Sequence, residues 1–344
     1  MKTTTAEGEG GVVLCVGEAL VDLLGEGGDR IESAALFRPA PGGAPAHAAV
    51  AAARAGAPVR FAGCVGRDAF GRLLREALAG AGVDCAWLLR HPERATTLAF
   101  VMPAGVGDLG FEFFRGADAA LSPADLPAAA FAGVAAVGCG GVALSAEPSR
   151  AATLAVLAAA RQHGAAAVFD VNWRPRLWPG EAEGAARSRE AVAACDVLKC
   201  NAGELALLAG PDGDLVARAR GLLAGPDGPG PVAAAVTLGE EGAVWITAGG
   251  VVRHPGFKVG AVDAVGAGDC FTGYLLAGLA RLTAGARSRP GAVRAALAEL
   301  AADRITELLT RCNAAAALST TRPGGMGAMP DGAEVDAWRH RSGA

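Results

Sequence analysis

The feature that most restricts the fold of this chain is an alternation that begins near residue 134. Four short apolar runs, VAAVGCG (134–140), AAAVFDVN (165–172), DVLKCN (196–201) and VAAAVTLG (232–239), are separated by helix-like segments near 147–162, 185–194 and 203–223. Short apolar runs of this kind suit strands covered on both faces, and the intervening helices supply the cover. The pattern predicts α/β architecture: a three-layer α/β/α fold around a mostly parallel central sheet. The first half adds VVLCVGEALVDLL (12–24) as one opening strand and VRFAGCVG (59–66) as a second core strand. A Gly-rich turn runs into a helix across 41–57, and a further helix runs from an N-capping Asp68 to about Leu78.

Two stretches stand outside the alternation. Residues 31–42 read as a short extended excursion, and TTLAFVMPAGVGDLGFEFFRG (96–116) as a hairpin with a Gly-rich tip. They are expected to form a small β-sheet lid, with segments at about 31–42 and 92–117, over one end of a single domain spanning 11–330. Residues 243–257 read as a hairpin joined by Gly249 and Gly250, and helix is expected from about Ala267 to about 318. Residues 1–10 and 331–344 are expected to be flexible tails.

Composition narrows the function. With 52% apolar residues the chain can bury a sizeable core, and a net charge of −4 gives no bias toward nucleic acid or an anionic membrane. No apolar run approaches the ~20 residues needed to span a bilayer. The start, MKTTTAEGEGG, has neither the apolar stretch of a secretory signal nor the Arg-rich character of a transit peptide. The eight cysteines, at 15, 64, 85, 139, 195, 200, 270 and 312, are scattered without a C-x-x-C pair. Buried reduced thiols in a cytoplasmic protein are expected, rather than disulfides or a zinc site.

The strongest chemical signal is VDAVGAGDCFTGYLLAGL (262–279). A G-A-G turn exposes backbone N–H groups, and the helix that follows adds its positive end, which suits a phosphate or the charge on a phosphoryl group in flight. Asp269, in the first helical turn, is kept ionised by the dipole and can accept a proton from an attacking hydroxyl. On that string alone, an ordinary acidic residue at a helix start remains an equal alternative. Asp22 taken alone suits a solvated strand end, and Asn201 with Glu204 suits a helix cap and a surface acid. A nicotinamide-dependent enzyme would need G-x-G-x-x-G after the first strand, and GEALVD does not provide it.

DAVGAGDCF closely resembles the C-terminal signature of the ribokinase-like (PfkB) carbohydrate kinases, with fructokinases the nearest members. PGGAPAHAAVAAARAG with FAGCVGRDAFGRLLREALAGAGVD, NAGE (201–204), VTLGEEGA (236–243) and CNAAAAL…TRPGGMGAMP (312–330) resemble further blocks of that family in the same order. The resemblance implies a ribokinase-like fold, with Asp269 as catalytic base and the amides of Gly266, Ala267 and Gly268 as an anion hole. It implies a sugar floor of Asp22, Gly42 and Gly43, with His47 standing where the family usually has Asn. Asn201 and Glu204 correspond to the N-x-x-E motif that organises Mg2+, through waters, and the ATP phosphates. Thr237, Gly239, Gly242 and Asn313 correspond to the nucleotide site, and Asp263 to a ligand of a monovalent cation, K+.

FEFFRGADAAL (111–121) and FDVNWRPRLW (169–178) resemble fructokinase segments, and their Arg115 and Arg174 are expected to grip the sugar or balance phosphate charge. Either arginine equally suits a surface position laid along apolar neighbours. D-fructose is the expected substrate, and a sugar acid such as 2-keto-3-deoxygluconate, ribose or a nucleoside the alternative. A non-catalytic, fructokinase-like binding protein is the reading from another class. Two further departures are Ala264, where a Thr or other small polar residue is common, and a longer stretch over 282–308. The lid is expected to be a homodimer surface by family analogy.

Overall fold

The alternating runs become the parallel strands of one large sheet in the computed structural model, which describes residues 11–102, 111–224, 228–286 and 291–342. In chain order the strands are β1 (Val12–Val16), β2 (Leu20–Glu26), β3 (Leu36–Gly42), β4 (Val59–Gly66), β5 (Val83–His91), β6 (Leu98–Val101) and β7 (Phe111–Phe114). They continue with β8 (Val134–Gly140), β9 (Ala166–Asp170), β10 (Val197–Asn201), β11 (Ala233–Thr237), β12 (Ala243–Thr247) and β13 (Val251–His254). The helices are α1 (Ala44–Arg54), α2 (Ala69–Gly80), α3 (Ser149–Gln162), α4 (Glu181–Ala194), α5 (Ala202–Ala209), α6 (Leu215–Leu222), α7 (Ala267–Leu282), α8 (Ala292–Ala298), α9 (Ala302–Ser319) and α10 (Gly332–Ser342).

The large sheet has the order β13-β12-β11-β10-β9-β8-β1-β4-β5. It is parallel from β5 to β11, and β12 runs antiparallel to both of its neighbours. Because successive side chains of a strand point to opposite faces, β1 sends Val13 and Cys15 into one core and Leu14 and Val16 into the other. The first core is closed by α1, α2, α7 and α9, the second by α3, α4, α5 and α6. The chain leaves β1 toward β4 on one side and later enters β8 on the other. The crevice beyond the carboxyl ends of β1 and β8 is therefore a topological switch point, where ligands of open α/β sheets bind.

The second sheet has four strands in the order β3-β2-β6-β7. Its inner face carries Leu20, Ala99 and Val101, with Phe111 and Phe113 packed beside them. On it Leu36 and Phe114 are exposed, and Phe100 meets both Phe37 and Phe114 edge to face.

Several expectations are corrected. The run 12–24 is two strands in two sheets, because the chain turns away after Val16, so Asp22 lies on the lid rather than at the end of the first core strand. Strand β2 thus joins the lid, which was expected only from 31–42 and 92–117. Strand β5 was not anticipated. It is an edge strand buried on one face, with Val83, Cys85 and Leu88 inward and Asp84 and Ala86 exposed. The helix expected over 203–223 is two helices, separated at Gly210-Pro211-Asp212-Gly213. Residues 332–342 are not a loose tail. They form α10, whose Val335 is fully buried, whose Trp338 ring meets Phe257 at 4.9 Å, and whose Arg339 pairs with Glu307 at 2.7 Å. In the long 282–308 stretch, α8 buries Val293 and Leu297 and pairs Arg294 with Asp196 at 2.9 Å. The hairpin tip at 103–110 and the leader at 1–10 lie outside the described residues.

Candidate active site

The first turn of α7 closes the switch-point crevice. Gly266 precedes the helix at φ 82°, a left-handed conformation that a side chain would strain, and it turns the chain so that the helix start faces the cavity. Gly268 is the second helical residue, where an N–H has no partner inside its own helix, so its N–H is available to an anion. The Ala267 N–H is not available in this way, because it already donates to the Ala264 carbonyl at 3.2 Å. Of the three amides expected to form the anion hole, Ala267 is the one spent on the turn itself.

Asp269 follows, buried, with both carboxylate oxygens engaged. Oδ2 lies 2.9 Å from Nδ1 of His47, and Oδ1 accepts a hydrogen bond from Nδ2 of Asn172 at 3.2 Å. Burial would raise this carboxyl, but the His47 bond and the charges of His47, Arg174 and Lys199 outweigh it and hold the group below its ordinary value. His47 reaches Asp269 because α1 and α7 pack closely. A Cβ at Gly273 of α7 would collide with the Ala48 carbonyl of α1.

Two cavities meet at this point. One, of about 280 Å3, lies between the lid and the carboxyl ends of the large sheet. Its walls include Asp22, Gly43, His47, Arg174, Gly266, Gly268 and Asp269, with Phe111 and Phe113 from the lid. The other, of about 520 Å3, is lined by Gly239, Gly242, Phe257, Ala267, Phe271 and Asn313 among others. Thr237, Ala264 and Gly268 line both. Two chambers joined at a helix N-terminus, with a carboxylate on one side of the junction, allow a hydroxyl in the first to attack a phosphate reaching in from the second.

The expected residues divide accordingly. Asp22 sits in the lid-side cavity, where burial pushes its carboxyl up to about 6. Gly42 is held against it, since a side chain there would strike the Asp22 carboxylate. Arg174 lines the same cavity, its guanidinium 5.8 Å from the centre of the Phe111 ring. Arg115 does not line either cavity. It pairs with the buried Asp118 at 2.7 Å and donates to Ser145 Oγ at 2.6 Å and the Val142 carbonyl at 3.0 Å, fastening the base of the lid to the loop after β8.

Asn201 and Glu204 form a reciprocal cap at the start of α5. The Asn201 side chain accepts from the Glu204 N–H at 2.8 Å, and the Glu204 carboxylate accepts from Asn201 N and Trp173 N, both at 2.8 Å. Both residues line the lid-side cavity rather than the larger one. Each Glu204 oxygen keeps a lone pair, and the donor set is all oxygen, which suits a hydrated Mg2+. Asp263 lines neither cavity, and its oxygens accept from Val265 N at 2.9 Å and Gly324 N at 2.8 Å.

Three residues of the site, Lys199, Asn172 and Glu18, escaped sequence reasoning. Lys199, in the middle of β10, is buried 3.0 Å from Asp170, whose other oxygen accepts from Thr272 Oγ1 at 2.7 Å. This lysine places a positive charge on the cavity wall although the chain has no P-loop. Asn172 stands at φ 40°, a left-handed conformation that Asn tolerates, and was visible only as part of the D-x-N-x-R string. Glu18 is buried in the cavity with Oε1 on the Ala44 N–H at 3.2 Å and Oε2 without a partner, and burial pushes its carboxyl up to about 8. An acid immediately after a core strand, at the switch point, was the signal available for it.

All eight cysteines are free and buried, as expected. Among the described residues no helix is long and apolar enough to cross a membrane.

Comparison with known proteins agrees with this arrangement. The model for pfkB family carbohydrate kinases matches residues 12–332. A fructokinase of Klebsiella pneumoniae is 37% identical over 322 residues, covering 93% of this chain and 96% of its own. The ATP-bound fructokinase of Xylella fastidiosa shares the fold with a TM-score of 0.83 at 29% identity, over 97% of this chain and 99% of its own. A double mutant of the fructokinase of Vibrio cholerae O395, bound to fructose, ADP and potassium ion, gives 0.78 at 29% identity over 95% and 98%. A single family model thus spans the strands, the lid and the α7 turn alike, and the chain belongs to the pfkB family of carbohydrate kinases, sugar phosphotransferases of ribokinase-like fold.

Proposed function

We propose that the protein is a fructokinase that transfers the γ-phosphoryl group of ATP to the 6-hydroxyl of D-fructose. The observation that carries this is the junction at Gly268, where a polar, lid-covered cavity meets a larger one beside the buried, ionised Asp269. Fructose occupies the lid-side cavity with Asp22 and Arg174 on its hydroxyls. A carboxylate accepts from two hydroxyls at once, and a guanidinium donates to several. ATP occupies the other cavity, where the Asn313 Nδ2 has no partner within the protein and is free to bond the nucleotide.

Asp269 takes the hydroxyl proton as the sugar oxygen bonds to the γ-phosphorus, and the bond to the ADP oxygen breaks. The Gly268 N–H and the α7 dipole stabilise the charge on the moving phosphoryl group, and Lys199 adds to the same field. Mg2+ neutralises phosphate charge when bound, and Glu204 and Asn201 would hold it through waters. Asp263, already tying its own loop to Gly324, would support a K+ site through that loop. The likeness to fructokinases, one of them bound to fructose and ADP, supports fructose over a sugar acid or nucleoside. The exposed Leu36 and Phe114 on the lid suit a homodimer surface, and eight free buried thiols suit the cytoplasm.

The test is ADP formation from Mg-ATP with fructose, glucose, ribose, 2-keto-3-deoxygluconate and adenosine. Fructose should give the highest kcat/KM. Preference for another sugar refutes the substrate, and turnover of none refutes the activity.

A further inference from the structure

The ring of His47 sits between two acceptors. Nδ1 faces the Asp269 carboxylate at 2.9 Å, and Nε2 faces the Pro41 carbonyl at 3.4 Å. A neutral imidazole has one N–H and one lone pair. Either neutral tautomer therefore points a lone pair at an oxygen, whereas an imidazolium donates to both. We propose that His47 is a positioning residue that works as an imidazolium, holding Oδ2 of Asp269 through Nδ1 and leaving the sugar hydroxyl the second lone pair of Oδ1, whose first accepts from Asn172. This rests on Asp269 being the base.

The surroundings favour the charged ring. Asp269 on α7 bonds it, Asp22 on β2 acts on it through its charge, and Glu18, after β1, adds a third carboxyl to the cavity. The cations facing the same carboxylates are Arg174, after β9, and Lys199, on β10, and Lys199 is already committed to Asp170. Burial works against the charged imidazole, but the Asp269 bond, the charges of Asp269 and Asp22 and the Pro41 bond outweigh it and raise its proton affinity. Two consequences follow for the reaction. The imidazolium keeps Asp269 ionised at lower pH than an isolated buried carboxyl would be. It also offsets negative charge in a cavity whose junction the γ-phosphoryl group must enter, and it does so without taking the proton, which passes from the sugar oxygen to Asp269. Deprotonation of His47 at high pH removes that charge, so activity should fall on the alkaline side as pH passes its raised value.

His47→Asn and His47→Gln keep an amide that can donate to Asp269 and carry no charge at any pH. The measurement is kcat/KM for fructose against pH for wild type, both variants and Asp269→Asn, each checked for folding by circular dichroism. In the amide variants the acid limb should move up by about one unit or more, and the alkaline limb set by His47 should vanish. Profiles that superimpose on the wild type, with activity merely scaled down, would refute the imidazolium while leaving Asp269 as the base. Undiminished turnover in Asp269→Asn would instead refute the base assignment. Independently of activity, nitrogen-15 NMR of wild type at neutral pH should show both His47 nitrogens protonated, and Asp269→Asn should lower the His47 midpoint. A neutral ring, or an unmoved midpoint, overturns the proposal even if the amide variants fail to fold.

Discussion

Arg115 pairs with Asp118 at 2.7 Å inside the protein, while Arg174 points its guanidinium into the cavity against Phe111. Two arginines with the same expected role have different ones. Removing one member of a buried ion pair strands the other and costs about 3–5 kcal/mol. Arg115→Ala should therefore lower the melting temperature markedly and change the fructose KM of the remaining folded enzyme by less than about twofold. Arg174→Ala should keep the melting temperature and raise the fructose KM by about 10-fold or more, since a hydrogen bond from a charged group is worth about 1.5–3 kcal/mol. Thermal unfolding with steady-state kinetics separates the two, and a reversed pattern would contradict both placements.

Asn313 lines the larger cavity, and its buried Nδ2 has no protein partner. Asn313→Ala should raise the KM for ATP by about 5- to 10-fold, the worth of one net hydrogen bond, and leave the fructose KM nearly unchanged. A rise confined to fructose would place the nucleotide elsewhere.

Glu18 makes a prediction about stability. Its carboxyl is pushed from an ordinary 4.5 to about 8 by burial, so between these values the folded protein binds a proton that the unfolded chain has released. Stability from this residue is therefore greatest below about pH 4.5, declines as pH rises, and stays reduced above about pH 8. Glu18→Gln removes the titration. Its melting temperature should match wild type near pH 5 and exceed it increasingly up to pH 8.5, and a constant difference across that range would show that Glu18 is ionised throughout.

What the sequence made legible was local in the chain. The G-A-G-D turn, the N-x-x-E cap and the apolar runs of β8 to β11 each declare themselves within a few residues, because backbone conformation and helix capping are decided there. The pairing of His47 with Asp269 joins residues 222 apart in sequence and depends on how closely α1 meets α7. Lys199 reads from sequence as one polar residue in a buried strand, and only the register of β10 beside β9 brings it against Asp170. The partners of Arg115 were hidden for the same reason, since Asp118 is near in sequence but Ser145 and Val142 arrive from the loop after β8. The strand break after Val16 was hidden because 12–24 is apolar on both sides of it, and the pattern cannot say which sheet each half joins.

The role of Asp269 is tested most directly by transfer of labelled phosphate from γ-labelled Mg-ATP to fructose, comparing wild type with Asp269→Asn at saturating substrates. Wild type should form fructose 6-phosphate, and the variant should do so about 10²- to 10⁴-fold more slowly, the usual contribution of a general base, while still binding both substrates. Label transfer in the variant at the wild-type rate, or none to fructose in the wild type, would contradict it.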